Sequence, residues 1–233
     1  MEKSDARKLI WIGIFAVSMA FVETTVVYYL RKLYYPNNVL FPLNVSMPSQ
    51  ILVIEWVREA CTIIMLLSIA VLAGKKFQEK FAYFIYSFAI WDIFYYIWLK
   101  VLLDWPTSLL TWDVLFLIPL TWVSPVLAPV LVSITMLIFA FMILQKPNKK
   151  VNMKEWALLM FASALVYISF IWDYTNLLLK KGLFEKFSKL TLDPEIIKAA
   201  AEFIPQYYHW ELFIIGEFLA LTAIFLWWRR GKK

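Results

Sequence analysis

The sequence predicts an all-α integral membrane protein: a bundle of six transmembrane helices, both termini cytoplasmic, with short surface helices on the outer side. Three observations predict it. The chain has 233 residues and is 62% hydrophobic, against about 45–50% in soluble domains. Six stretches reach the roughly 20 apolar residues that cross about 30 Å of hydrocarbon. The basic residues gather in alternate loops, as they do when positive charge stays on the cytoplasmic side.

The spans fall at Leu9–Leu30, Ile51–Ala73, Phe81–Leu103, Val126–Leu144, Trp156–Leu179 and Gln206–Trp228, within a single domain covering residues 1–233. The first is too long for a cleaved leader, has no small-residue cleavage site, and is interrupted by Glu23 and the Tyr28-Tyr29 pair. Lys3, Arg7 and Lys8 precede it. Lys75, Lys76 and Lys80 mark the second loop, and Lys146, Lys149, Lys150 and Lys154 the fourth. Arg229, Arg230, Lys232 and Lys233 follow the last span. These segments hold fourteen of the 23 Lys and Arg but four of the 17 Asp and Glu. The expected location is therefore the cell membrane with both termini inside. The formal net charge of +6 is a topology signal, not a nucleic-acid footprint.

The outer segments are long and rich in proline and aromatics. Arg31–Gln50 carries Pro36, Pro42 and Pro48. Asp104–Pro125 carries Trp105, Trp112 and Trp122, and its stretch Val114–Leu120 is apolar but too short to cross. It reads as a re-entrant or interfacial element, with Ser124 and Pro125 opening the fourth span. In Lys180–Pro205, the stripe Leu183, Phe184, Phe187 and Leu190 predicts one surface helix. Asp193-Pro194-Glu195 predicts the start of another, reaching about Ile204. A repeat is also visible: Tyr86-x-x-x-Ile90-Trp91-Asp92 recurs as Tyr167-x-x-x-Ile171-Trp172-Asp173. A base follows each acid by eight residues, as Arg31 follows Glu23. Such a pattern fits repeated helical hairpins, and equally chance in a chain rich in Trp, Tyr and Ile.

Ionisable residues inside spans cost about 2.5–3.5 kcal/mol each on insertion scales and usually mark a site. Glu23, Glu55, Arg58, Glu59, Asp92, Lys100, Asp173, His209, Glu211 and Glu217 all fall in the outer halves, roughly 5–17 Å below the helix ends at 1.5 Å per residue. The inner halves contain no charge. This one-sidedness predicts an outward-opening cavity lined by these residues with Tyr95 and Tyr96. Carboxylates outnumber bases in it, so a proton, a metal ion or a positively charged ligand is expected there.

Individual residues keep two readings. Asp92 with Tyr95 and Tyr96 is either a structural hydrogen-bond cluster or a ligand site. Glu55, Arg58 and Glu59 are a structural ion network or site residues. The outer tryptophans form an interfacial belt or a cage for a cation. Asp104 and Asp113 read as solvated, and Cys61 as a small core residue.

One cysteine and one histidine exclude a disulfide framework, a CxxC pair, a cysteine-ligated zinc and any two-imidazole centre. Phosphate-binding loops of the GxxxxGK[ST] and GxGxxG types are missing, as is a GxSxG elbow. No metal ligand set and no cofactor is legible.

Glu55-Trp56-x-Arg58-Glu59, Trp91-Asp92-x-x-Tyr95-Tyr96 and Trp112-Asp113-Val114-Leu115-Phe116-Leu117-Ile118-Pro119 together resemble a family of uncharacterised prokaryotic six-span membrane proteins. That resemblance implies a fold and no activity. Ala16-x-x-x-Ala20 in the first span is similar to the small-residue coupling motif of substrate-binding subunits of energy-coupling-factor transporters. It implies a small bundle that binds ligand from outside.

Three functions are expected in turn. The first is binding or transport of a cationic or proton-coupled small ligand. The second is a membrane-embedded enzyme acting on a lipid or polyprenyl substrate at the outer leaflet, with Asp92 or Glu217 as acid or base and Arg58 and Lys100 on a phosphate. The third is an accessory subunit of a membrane complex. Partners on these readings are the lipid bilayer, a small ligand or ion, and a membrane-protein partner, with no nucleic acid.

Overall fold

Apolar runs of this length leave the backbone one option in lipid, an α-helix that satisfies its own N–H and C=O groups. The computed structural model describes residues 3–35, 40–43, 48–185 and 194–231. Its helices are α1 (Lys3–Tyr34), α2 (Ser49–Ala73), α3 (Phe77–Leu103), α4 (Leu127–Gln145), α5 (Met153–Lys180), α6 (Pro194–Ala201) and α7 (Trp210–Arg229). All but α6 are long and apolar enough to cross a membrane. The six predicted spans are these six helices. The largest differences in boundary are that α1 begins at Lys3, six residues before Leu9, and continues past Leu30 to Tyr34, that α3 begins earlier, at Phe77, and that α7 begins at Trp210 and not at Gln206.

The helices alternate in direction, so the two chain ends share one end of the bundle. There Lys8 Nζ donates to the Ala73 carbonyl at 2.9 Å, Lys76 Nζ to Asn148 Oδ1 at 2.5 Å and Lys149 Nζ to the Trp228 carbonyl at 3.1 Å. Local signals set the helix starts at this end. Asn152 Oδ1 accepts the Glu155 N–H, and Glu155 Oε2 accepts the Asn152 N–H, both at 2.8 Å, a reciprocal cap for α5. The turn between α2 and α3 is tight at Gly74, where a Cβ would lie 2.6 Å from the Lys80 nitrogen.

α3 is the hub: α1, α2 and α4 all pack along it, while α1 and α2 barely touch each other. α5 and α7 form a second, closely packed pair, joined to the rest through α4 and through the strand Trp122–Pro125 that precedes it. Gly216 of α7 makes that pairing close. A Cβ there would meet Val166 Cγ2 at 2.8 Å and the Ala162 carbonyl at 3.0 Å. Small residues do this in membrane bundles because dispersion contacts replace the missing hydrophobic drive. The half of the bundle near the termini is filled by Tyr83, Tyr86, Phe139, Ile143 and Trp227.

Between α3 and α4 the chain forms a β-hairpin, with β1 (Trp112–Phe116) antiparallel to β2 (Trp122–Pro125). Asp113 pairs with Ser124 and Val114 with Val123, and a register shift follows before Phe116 and Trp122. The apolar Val114–Leu120 stretch therefore lies mostly in β1 and the hairpin turn, an addition to the all-helical prediction. Val, Phe and Trp suit a half-buried pleated surface.

Several residue readings are corrected. Asp113 is 1% exposed and not solvated, while Cys61 is exposed on α2 and not in the core. The helix opened by Pro194 ends at Ala201, short of Ile204. Leu183 is buried against Tyr174, Leu178 and Phe203, but Phe184 is exposed. Asp193, Phe187 and Leu190 lie outside the described residues. Ala16 and Ala20 are fully buried beside Leu66 and Trp91. The two copies of the Trp-Asp repeat differ in surroundings: Trp91 and Asp92 are buried, whereas Trp172 is exposed.

Candidate functional site

At the end opposite the termini, α1, α2, α3 and the hairpin enclose a cavity of about 220 Å³, with α6 and Tyr174 of α5 completing its wall. α1 supplies Glu23, Val27, Leu30 and Arg31. α2 supplies Leu52, Glu55, Trp56, Arg58 and Glu59. Trp91, Asp92, Tyr95 and Tyr96 come from α3, and Asp113 to Leu117 with Thr121 from the hairpin. On each helix the lining residues recur at three- and four-residue steps, which puts them on one face.

Arg58 holds the wall between α1 and α2. Its Nε and Nη2 donate to Glu55 Oε2 at 3.1 and 2.6 Å, and its Nη1 pairs with Glu23. Thr62 Oγ1, also on α2, donates to Glu23 Oε2 at 3.1 Å. Glu59 has a different role: its two carboxylate oxygens accept the Leu117 N–H at 3.0 and 2.9 Å and hold the hairpin tip against α2. Asp92 Oδ2 accepts from Ser133 of α4 at 2.8 Å. Among the described residues neither Glu59 nor Asp92 makes an ion pair.

A second pair closes the cavity toward the hairpin. Arg31 Nη2 lies 3.3 Å from Asp113 Oδ1, and the guanidinium sits 3.7 Å from the Trp105 ring, a cation–π contact. Tyr96 also donates to Asp113. Burial nevertheless outweighs the attraction of Arg31 and raises the Asp113 carboxyl from its ordinary 3.8 to about 6. Arg31 Nε and Nη1 and Trp91 Nε1 are buried without a hydrogen-bond partner among the described residues.

Of the twelve residues singled out from the sequence, the cavity gathers Glu23, Glu55, Arg58, Glu59, Asp92, Tyr95 and Tyr96. The other five lie elsewhere. Lys100 is exposed at the end of α3, where it pairs with Asp104 at 2.6 Å and reaches the Pro106 carbonyl. Asp173 Oδ2 accepts the Gln206 N–H at 3.0 Å. His209 pairs with Glu211 at 2.5 Å at the start of α7. Glu217, half-buried, accepts from Thr135 of α4 at 2.7 Å. Arg58 and Lys100 are therefore not together to grip one phosphate.

The sequence reading missed Arg31, Asp113, Thr62 and Ser133. Asp113 carried a signal: an acid between Trp112 and Val114-Leu115-Phe116, in a segment too apolar to leave it in water. Arg31 follows Glu23 by two turns, but falls just past the apolar stretch that marks the first span.

No family model, no curated protein and no solved structure matches this chain.

Proposed function

We propose that this chain is a multi-pass membrane protein that binds a small organic cation in the α1–α2–α3 cavity, taken up from the outer side of the cell membrane with both termini cytoplasmic. The observation that carries the reading is the cavity's charge. Among the described residues five carboxylates, Glu23, Glu55, Glu59, Asp92 and Asp113, line it with two guanidiniums, Arg31 and Arg58. Arg31 is occupied by Asp113, and Arg58 is shared by Glu23 and Glu55. Among the described residues Glu59 and Asp92 have neutral hydrogen-bond donors only, a peptide N–H and a hydroxyl. Ionised carboxylates at such a place call for a positive charge.

The shape supports an organic cation over a metal ion. Among the described residues no three His, Cys, Asp or Glu side chains converge closely enough to hold a metal. Trp56, Trp91, Tyr95, Tyr96 and Phe116 supply aromatic surface, which attracts ammonium groups through the ring quadrupole. Nearer the bundle end the lining combines leucines with the paired Arg31 and Asp113. At 1.5 Å per residue, Leu30 and Leu52 sit about 10 Å nearer the bundle end than Glu23 and Glu59. A charged head therefore enters first, toward Asp92, and an apolar remainder lies against the leucines. The packed half below argues for binding, with transport requiring a partner or a second conformation.

The test is thermal stabilisation of the detergent-purified protein by a panel of primary and quaternary amines, their neutral isosteres and matched carboxylates. Cations should stabilise, by about 2.7 kcal/mol at a hundredfold excess over Kd. Stabilisation by neutral or anionic members but not by cations would overturn the reading.

A further inference from the structure

The half of the molecule near the termini carries a second concavity that the cavity's function does not use. It is a groove between the start of α5 and the end of α7. Ala157, Leu158, Phe161 and Leu226 form its floor, and Lys154 and Arg229 stand at its rim. Phe161 is 58% and Leu226 47% exposed, so the floor faces the hydrocarbon. Lys154 precedes Phe161 by seven residues, about 10 Å along the helix. That spacing places two cations at headgroup level and the apolar floor beneath them.

The rim has an unbalanced charge. Arg230, the third base there, is withdrawn: its Nε and Nη2 donate to Glu155 at 2.8 and 3.0 Å. Glu155 is itself buried and also accepts the Asn152 N–H. Lys154 and Arg229 make no ion pair among the described residues. Among the described residues a zwitterionic headgroup would thus find cations for its phosphate but no free carboxylate for its ammonium. A headgroup with net negative charge meets no such mismatch.

We propose that this groove is a binding site for one anionic phospholipid, its phosphate between Lys154 and Arg229 and an acyl chain along Phe161 and Leu226. Basic pockets between membrane helices recognise anionic headgroups in this way. Long acyl chains anchor the lipid, so a free headgroup is not the ligand.

Native mass spectrometry of the full chain, with phosphatidylglycerol and phosphatidylcholine of identical chains, tests it. Phosphatidylglycerol adducts should exceed phosphatidylcholine adducts by roughly tenfold. Lys154→Gln combined with Arg229→Gln should erase that preference. Both side chains are exposed, so the fold should survive, as an unchanged thermal midpoint would verify. Lys75→Gln, at the same end but off the groove, should leave the preference intact. Glycerol phosphate should not compete. Equal retention of the two lipids, a preference that survives the double substitution, or displacement by glycerol phosphate would each overturn the proposal.

Discussion

Asp113 and Arg31 illustrate how a buried pair responds to pH. The Asp113 carboxyl titrates near 3.8 in an unfolded chain and at about 6 in the fold. Between those values the folded state holds more protons than the unfolded one, so stability falls as pH rises. The contribution is complete below 3.8 and gone once the pH has passed 6. Asp113→Asn should remove that slope, as thermal unfolding from pH 4 to 8 would reveal. A variant that keeps the slope would mean that a group other than Asp113 causes it. Asp92 leads to a different expectation. Its partner is the Ser133 hydroxyl, not Arg58, and an amide oxygen can accept the same bond. Asp92→Asn should therefore shift stability by under about 1 kcal/mol while abolishing cation binding. A stable variant with unaltered binding would remove Asp92 from the site.

Among the elements, the α5–α7 pair is sensitive to volume. Gly216→Val would drive a branched side chain into Val166 and the Ala162 carbonyl, and overpacking of this kind costs about 1–3 kcal/mol. The thermal midpoint should fall, while cavity ligands should still bind, because Gly216 is remote from α1, α2 and α3. The spans themselves were legible in the sequence, since hydrophobic length alone decides whether a helix crosses. The hairpin was not. Val114 to Leu120 is a short apolar run, and a short run does not distinguish strand from helix without knowledge of its neighbours. What fixes it is β2 and the Glu59 carboxylate, 58 residues away in sequence from the Leu117 N–H that it accepts.

For the whole molecule, the distribution of bases predicts that a reporter fused after the last residue behaves as cytoplasmic and one inserted near Asn38 as external. An external C-terminus would turn the cavity toward the cytoplasm and overturn the proposed route of the ligand. Depth along a helix could be counted from sequence, so the acidic band was visible in advance. The direction each residue faces around its helix could not. Glu23, Glu55 and Asp92 therefore meet, while Asp173 and Glu217, at similar depths, lie on α5 and α7 and satisfy local donors instead.

The light contact between α1 and α2 carries one further consequence. These two helices are joined at the cavity largely through Glu23, which receives both Arg58 and Thr62 from α2. A guest that claims Glu23 must take it from Arg58, so occupancy and the seam between the helices compete for one carboxylate. On the proposed reading, a filled site would leave α1 and α2 with less to hold them together at Glu23 than an empty one.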